Sequence, residues 1–124
     1  MNFLFIHQSF PGQYRYILRA LAASNRHNIV GLGMNKPKEP IPQSVRFYQY
    51  SPFRGNTPGI HDWLLDLDSK IIRGEAVASL CTTLKQQGFI PDLICAHPGW
   101  GEALFLRDIW PQVPLLSYQE FFYN

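Results

Sequence analysis

Two short apolar runs constrain this chain more than anything else in it. Phe3, Leu4, Phe5 and Ile6 form the first, and Leu93, Ile94, Cys95 and Ala96 form the second. Neither alternates with polar residues, so each reads as a strand covered on both faces, as in a parallel sheet with helices above and below. Each run ends at a histidine, His7 or His97, followed by a glycine-bearing turn, QSFPGQ or HPGWG. The residue before a proline is held extended and glycine permits a sharp reversal, so the second strand stops at His97.

The intervening chain supplies the crossovers. Tyr14, Ile17, Leu18, Leu21 and Ala22 recur at the spacing of one helix face. Residues 28–32 then give a second strand, completing a β-α-β unit whose crossover is right-handed. Residues 33–44 carry three prolines and read as a surface loop. Residues 45–50 form a third strand near the sheet edge, and residues 51–59 a loop long enough to be functional or mobile. The longest helical pattern spans residues 60–87, with Ile60, Leu64, Leu67, Ile71, Gly74, Ala78, Cys81 and Leu84 as its apolar stripe and Gly88 as its stop. Gly74 marks a kink or a division into two helices, and Asp62, Asp66 and Asp68 belong to the polar face. After the second apolar run, Glu102 opens a short helix through Ala103, Leu104, Leu106 and Ile109 that stops at Pro111. Residues 114–118 form a fifth strand.

Five strands with helical crossovers predict an α/β, Rossmann-like, doubly wound parallel sheet in the order 3-2-1-4-5, with helices on both faces. In that order the first strand lies beside the fourth and the winding reverses between them. His7 and His97 then become neighbours at the carboxyl rim, where open α/β sheets bind ligands. All 124 residues fit one domain, which buries roughly two-thirds of its unfolded surface. The net charge of +2 is too slight to indicate a nucleic-acid partner, and Arg15, Arg19 and Arg26 read as solvated surface. Cys81 and Cys95 fall in a helix and a covered strand, as buried free thiols of a reduced compartment. No leader and no apolar run of ~20 residues is present, which predicts a cytoplasmic protein.

Several chemistries are excluded. Gly99 and Gly101 begin a dinucleotide fingerprint, but Leu104 occupies its third glycine position and Gly33, rather than an acid, closes the second strand. There is no GxxxxGK[ST] and no GxSxG, and the histidines and cysteines lack metal-ligand spacing. What remains is a helix start after Phe10, Pro11, Gly12 and Gln13 that suits a phosphate. With it go His97 as a ligand-facing group or a satisfied strand end, Trp100 as a stacking platform or a plug, and Glu102 as a helix-start charge or a ligand contact. Glu120, just past the fifth strand, is either a solvated tail charge or a base for an acceptor hydroxyl.

The stretches FIHQSFPGQYRYILRALA and PDLICAHPGWGEALFLRDIWPQVPLLSYQEFFY resemble the N-terminal domain of bacterial family 4 glycosyltransferases with the GT-B fold. The likeness spans nearly the whole chain, is strongest over the first twenty and last thirty-five residues, and is weak over residues 33–60. It implies retaining transfer of a sugar from a nucleotide-sugar donor to a glycan or lipid-linked acceptor, in a cleft between two Rossmann-like domains, as in cell-surface or exopolysaccharide synthesis. This chain would be the acceptor-side half, and the nucleotide-binding C-terminal domain lies outside it, so that alone it should not catalyse transfer. The resemblance implies that Phe10, Pro11, Gly12 and Gln13 face donor phosphate and sugar; set beside the reading of the rim residues, it makes His7, Trp100 and Glu102 the expected acceptor contacts and His97 and Glu120 the catalytic candidates. Relatives often carry a functional histidine near the position of Glu120, so that residue is a substitute candidate and the histidine's role is not carried over. The nucleotide sugar is a co-substrate, and no metal or other cofactor is expected. A peripheral contact with the inner membrane, and self-association through the aromatic C-terminal tail, remain open as further partners. The rival readings are a stand-alone binding or regulatory module and half of a nucleotide-sugar epimerase.

Overall fold

The computed structural model describes residues 1–119. The strands β1 (Asn2–Ile6), β2 (Asn28–Gly33), β3 (Val45–Gln49), β4 (Leu93–Ala96) and β5 (Leu115–Ser117) form one sheet in the order β3-β2-β1-β4-β5. Every neighbouring pair is parallel. The sheet is therefore Rossmann-like and doubly wound, with its reversal between β1 and β4 as the two apolar runs require.

Alternation along β1 divides the core. Leu4 and Ile6 join Val30, Leu32, Ile94 and Ala96 against the helix α2 (Leu65–Gln86) and the short α3 (Leu106–Ile109). Phe3 and Phe5 join Ile29 and Cys95 against Tyr14 and Leu18, at the start and on the inner face of α1 (Arg15–Ala23). Both faces of the central strands are thus dry, which is why their sequences carry no polar alternation.

Several local expectations change. A 3₁₀ turn over Gly12–Tyr14 precedes α1, and Ile17 points to solvent at 49% exposure. The long pattern begins as a 3₁₀ turn over Asp62–Leu64 and continues as an unbroken 22-residue α2, so Gly74 neither kinks nor divides it. The inward stripe is Asp68, Ile72, Ala76, Val77, Cys81 and Leu84, while Leu64 and Leu67 are exposed. Residues 71–78 are apolar nearly all round the helix, so spacing alone does not fix which face turns inward. Asp68 consequently leaves the expected polar face and lies buried. The helix after β4 spans only Leu106–Ile109, so Glu102 does not open it. Cys81 and Cys95 are buried and free, and burial pushes the Cys81 thiol up to about 12, leaving it unreactive.

Candidate functional site at the sheet rim

Ile6 and Ala96 are register partners across β1 and β4, and the next residue of each strand is a histidine. The His97 backbone N–H donates to the Ile6 carbonyl at 3.1 Å, so the two side chains leave the rim side by side. Their ring centroids are 5.1 Å apart. Trp100 completes the group, lying flat on His97 at 4.5 Å and edge-on to His7 at 5.9 Å. His7 and His97 are buried, whereas Trp100 keeps part of its surface in solvent. The indole therefore roofs the histidines, with one face committed to His97.

Each imidazole is oriented by its own turn. His7 Nδ1 accepts the Ser9 N–H at 3.0 Å, and His97 Nδ1 accepts the Gly99 N–H at 3.2 Å. An accepting Nδ1 puts the proton of the neutral ring on Nε2, so both neutral rings share one tautomer. Gly12 fits against the other side of His7. Its φ of +53° favours glycine, and a Cβ there would overlap the His7 ring. Phe10 is buried against β2, where a Cβ on Gly31 would strike its ring and one on Gly33 its Cβ. Of the four residues expected to face donor phosphate, Phe10, Pro11 and Gly12 border an open cavity, Phe10 while also anchored against β2, and Gln13 is exposed.

The turn after β4 is clamped to α2. Arg73 Nε donates to the Trp100 carbonyl at 2.6 Å. Gly101 lies against the Lys70 backbone with φ +101°, and a Cβ on Gly74 would stand 2.8 Å from the Gly101 carbonyl oxygen. Glu102 sits under the turn, 1% exposed, and accepts the Tyr50 hydroxyl at 3.0 Å. Its Oε2 has no hydrogen-bond partner among the described residues. Burial holds the Glu102 carboxyl above its ordinary range, against the opposing Tyr50 hydrogen bond and the nearby charges of Arg73 and His97. Burial, reinforced by Glu102, likewise raises the Tyr50 phenol. Glu102 thus supports the turn from beneath rather than facing the opening, which differs from its expected place among the acceptor contacts. Its apparent helix-start role came from a helix that begins four residues later.

The 51–59 loop, expected as a mobile wall, is tied down by Asp68. The buried carboxylate accepts the Thr57 N–H at 2.8 Å, the Thr57 hydroxyl at 3.2 Å and the Asn56 amide at 3.1 Å, with Arg54 at 3.6 Å. These bonds, the Thr57 backbone first, hold the Asp68 carboxyl below its usual range. Tyr50, Arg73 and Asp68 were not singled out from sequence as supports of the rim. Each lies on another element, and only folding shows what it touches. Gly74 was visible, but as a helix defect rather than a close contact. Glu120 lies outside the described residues.

The fold is of the open parallel α/β class, and at its topological switch point, where such sheets take ligands, two buried imidazoles lie beneath an indole. Within that class the chain belongs to the glycosyl transferase family 4 group, whose family pattern matches residues 25–124. The matched region includes β4, the His97–Glu102 turn and β5, and begins after α1. No match was found among curated proteins. Among the described residues no helix is long and apolar enough to cross a membrane, and no three His, Cys, Asp or Glu side chains cluster as a metal site.

Proposed function

We propose that this chain is the acceptor-side domain of a two-domain, retaining glycosyltransferase that takes its sugar from a nucleotide sugar. The observation that carries the reading is the ring cluster at the switch point, where His7, His97 and Trp100 pack beside the Gly12 turn within a sheet of this family. In the transfer, the bond between the anomeric carbon and the donor phosphate breaks and the acceptor oxygen bonds that carbon on the face the phosphate leaves, which keeps its configuration. The acceptor hydroxyl gives up its proton, with the carboxylate of Glu120 as candidate receiver. The exposed part of Trp100 offers a surface for a sugar's C–H face, held in place by the buried His97 ring beneath it. Donor binding falls mainly to a second domain, so the chain alone should be inactive, because both sides of the cleft contribute to the transition state. The acceptor would be a glycan or lipid-linked sugar, the setting cytoplasmic or at the inner face of a bacterial membrane, and no metal is required.

The test is transfer by the longest continuous protein that carries this sequence, assayed with a panel of nucleotide sugars. The anomeric configuration of the product would be read by NMR. The expected result is a new glycoside with the donor's configuration, lost when His97→Ala is introduced. An epimerised nucleotide sugar with no glycoside would sink the reading in favour of an epimerase. A protein that ends at Asn124 and binds without turnover would sink it in favour of a binding module.

A further inference from the structure

A concavity opens beside the first turn. It has a volume of about 250 Å³ and lies between the β1–α1 turn and the loop that follows β2. Pro11 and Gly12 form one wall, and Arg15, Lys36, Lys38 and Glu39 stand around it. Gly12 borders both this cavity and the His7 ring, so the cavity and the ring cluster adjoin across one residue.

The charges are unequal. Three cations meet one carboxylate, and Arg15 Nη1 already pairs with Glu39 Oε2 at 3.1 Å. Lys36 and Lys38 make no hydrogen bond or ion pair among the described residues. Two uncommitted ammonium groups over a small concave surface attract an anion, and their position on the carboxyl rim is where this fold takes ligands. Size narrows the choice. The volume is below the ~300–1,000 Å³ of pockets that enclose drug-sized molecules, so it suits one phosphorylated sugar rather than a whole nucleotide sugar.

We infer that this cavity is a subsite for a phosphate carried on a monosaccharide, held by Lys36 and Lys38, so that the acceptor is a phosphorylated sugar, free or lipid-linked. The word acceptor rests on the transferase reading above, whereas the anion site does not. Glu39 opposes the ligand by repelling it and by occupying Arg15.

The test is isothermal calorimetry on the full chain at low salt, with a hexose 1-phosphate, the uncharged hexose, a nucleoside diphosphate and inorganic sulfate as separate probes. Amide NMR shifts would locate each binding event. Hexose 1-phosphate should bind most tightly and shift Gly12, Asn35 and Lys36. The paired substitution Lys36→Glu and Lys38→Glu should weaken it at least about tenfold, and Glu39→Gln should tighten it, with unchanged circular dichroism in both. Equal binding of sulfate, tighter binding of the nucleoside diphosphate, or indifference to both charge changes would overturn the assignment. In the transfer assay, an uncharged acceptor used with unchanged KM after the lysine substitutions removes this subsite and leaves the transferase reading standing. Charge-dependent phosphate binding in a protein that transfers nothing does the reverse.

Discussion

The His97 imidazole lies flat against the Trp100 indole, with centroids 4.5 Å apart and planes 22° apart. Two residues of chain separate the two rings, and these, Pro98 and Gly99, bring the chain back over the strand end. Arg73 then fixes the Trp100 carbonyl from α2. Trp100→Ala should expose His97 and destabilise the domain by about 1–3 kcal/mol in urea unfolding, from lost area and lost stacking. Trp100→Phe should recover most of it. Equal stability of all three proteins would show that the roof contributes nothing.

Gly74→Ala separates helix propensity from packing. In an exposed helix the change stabilises by about 1 kcal/mol. Here the new Cβ meets the Gly101 carbonyl oxygen at 2.8 Å and the Phe105 ring at 3.1 Å. The expected outcome is a lower unfolding midpoint, by the equivalent of about 1–3 kcal/mol. A gain in stability would mean that α2 and the turn are not in contact.

Gly12→Ala combines a left-handed backbone with overlap on His7, and should lower both stability and ligand binding at the rim. Gly55→Ala, where no atom lies within 4 Å of the new methyl, is the matched control and should change neither. Equal behaviour of the two variants in thermal melts would dissociate Gly12 from His7.

Glu102 predicts a pH dependence. Its folded carboxyl is raised above the ordinary 4.5, chiefly by burial. The protonated form is therefore favoured by folding, so its contribution is full below the unfolded value and fades as pH rises through the folded one. Glu102→Gln keeps the shape without the charge. Unfolding measured across pH should show the variant gaining on the wild type as pH rises above 4.5, and a constant difference would refute the burial argument.

Asp68 predicts the opposite sign. Its folded carboxyl is held below 3.8 by the Thr57 and Asn56 donors. Its contribution is present above the unfolded value and lost as pH falls through the folded one. Asp68→Asn should release the 51–59 loop, read as faster proteolysis near Arg54 and faster amide exchange at Thr57. Unchanged protection would mean that the loop is held by something else.

Much of the architecture was legible in the linear order of residues. Uninterrupted apolar runs announce strands buried on both faces, and parallel strands joined by helices leave few strand orders open. The meeting of His7 with His97 followed from that order alone. The inward faces of α1 and α2 were less legible. Ile17 and Leu67 satisfy helical spacing yet point outward; for Leu67 the reason is that α2 carries apolar residues on several sides and so has no preferred direction of its own. Whether Glu102 faced ligand or core was equally open, since a carboxylate after a glycine reads as a turn charge until Tyr50 is seen to reach it.

The sequence by itself determined the strands, their parallel pairing and the crevice where the winding reverses, since these depend on local hydrophobic pattern and backbone chirality. Tertiary structure alone decided which groups line that crevice and which hold it from behind. The hydrogen bonds of Asp68 to Thr57, of Arg73 to Trp100 and of Tyr50 to Glu102 join residues distant in sequence. Burial sets their strength, and burial exists only once the layers have packed.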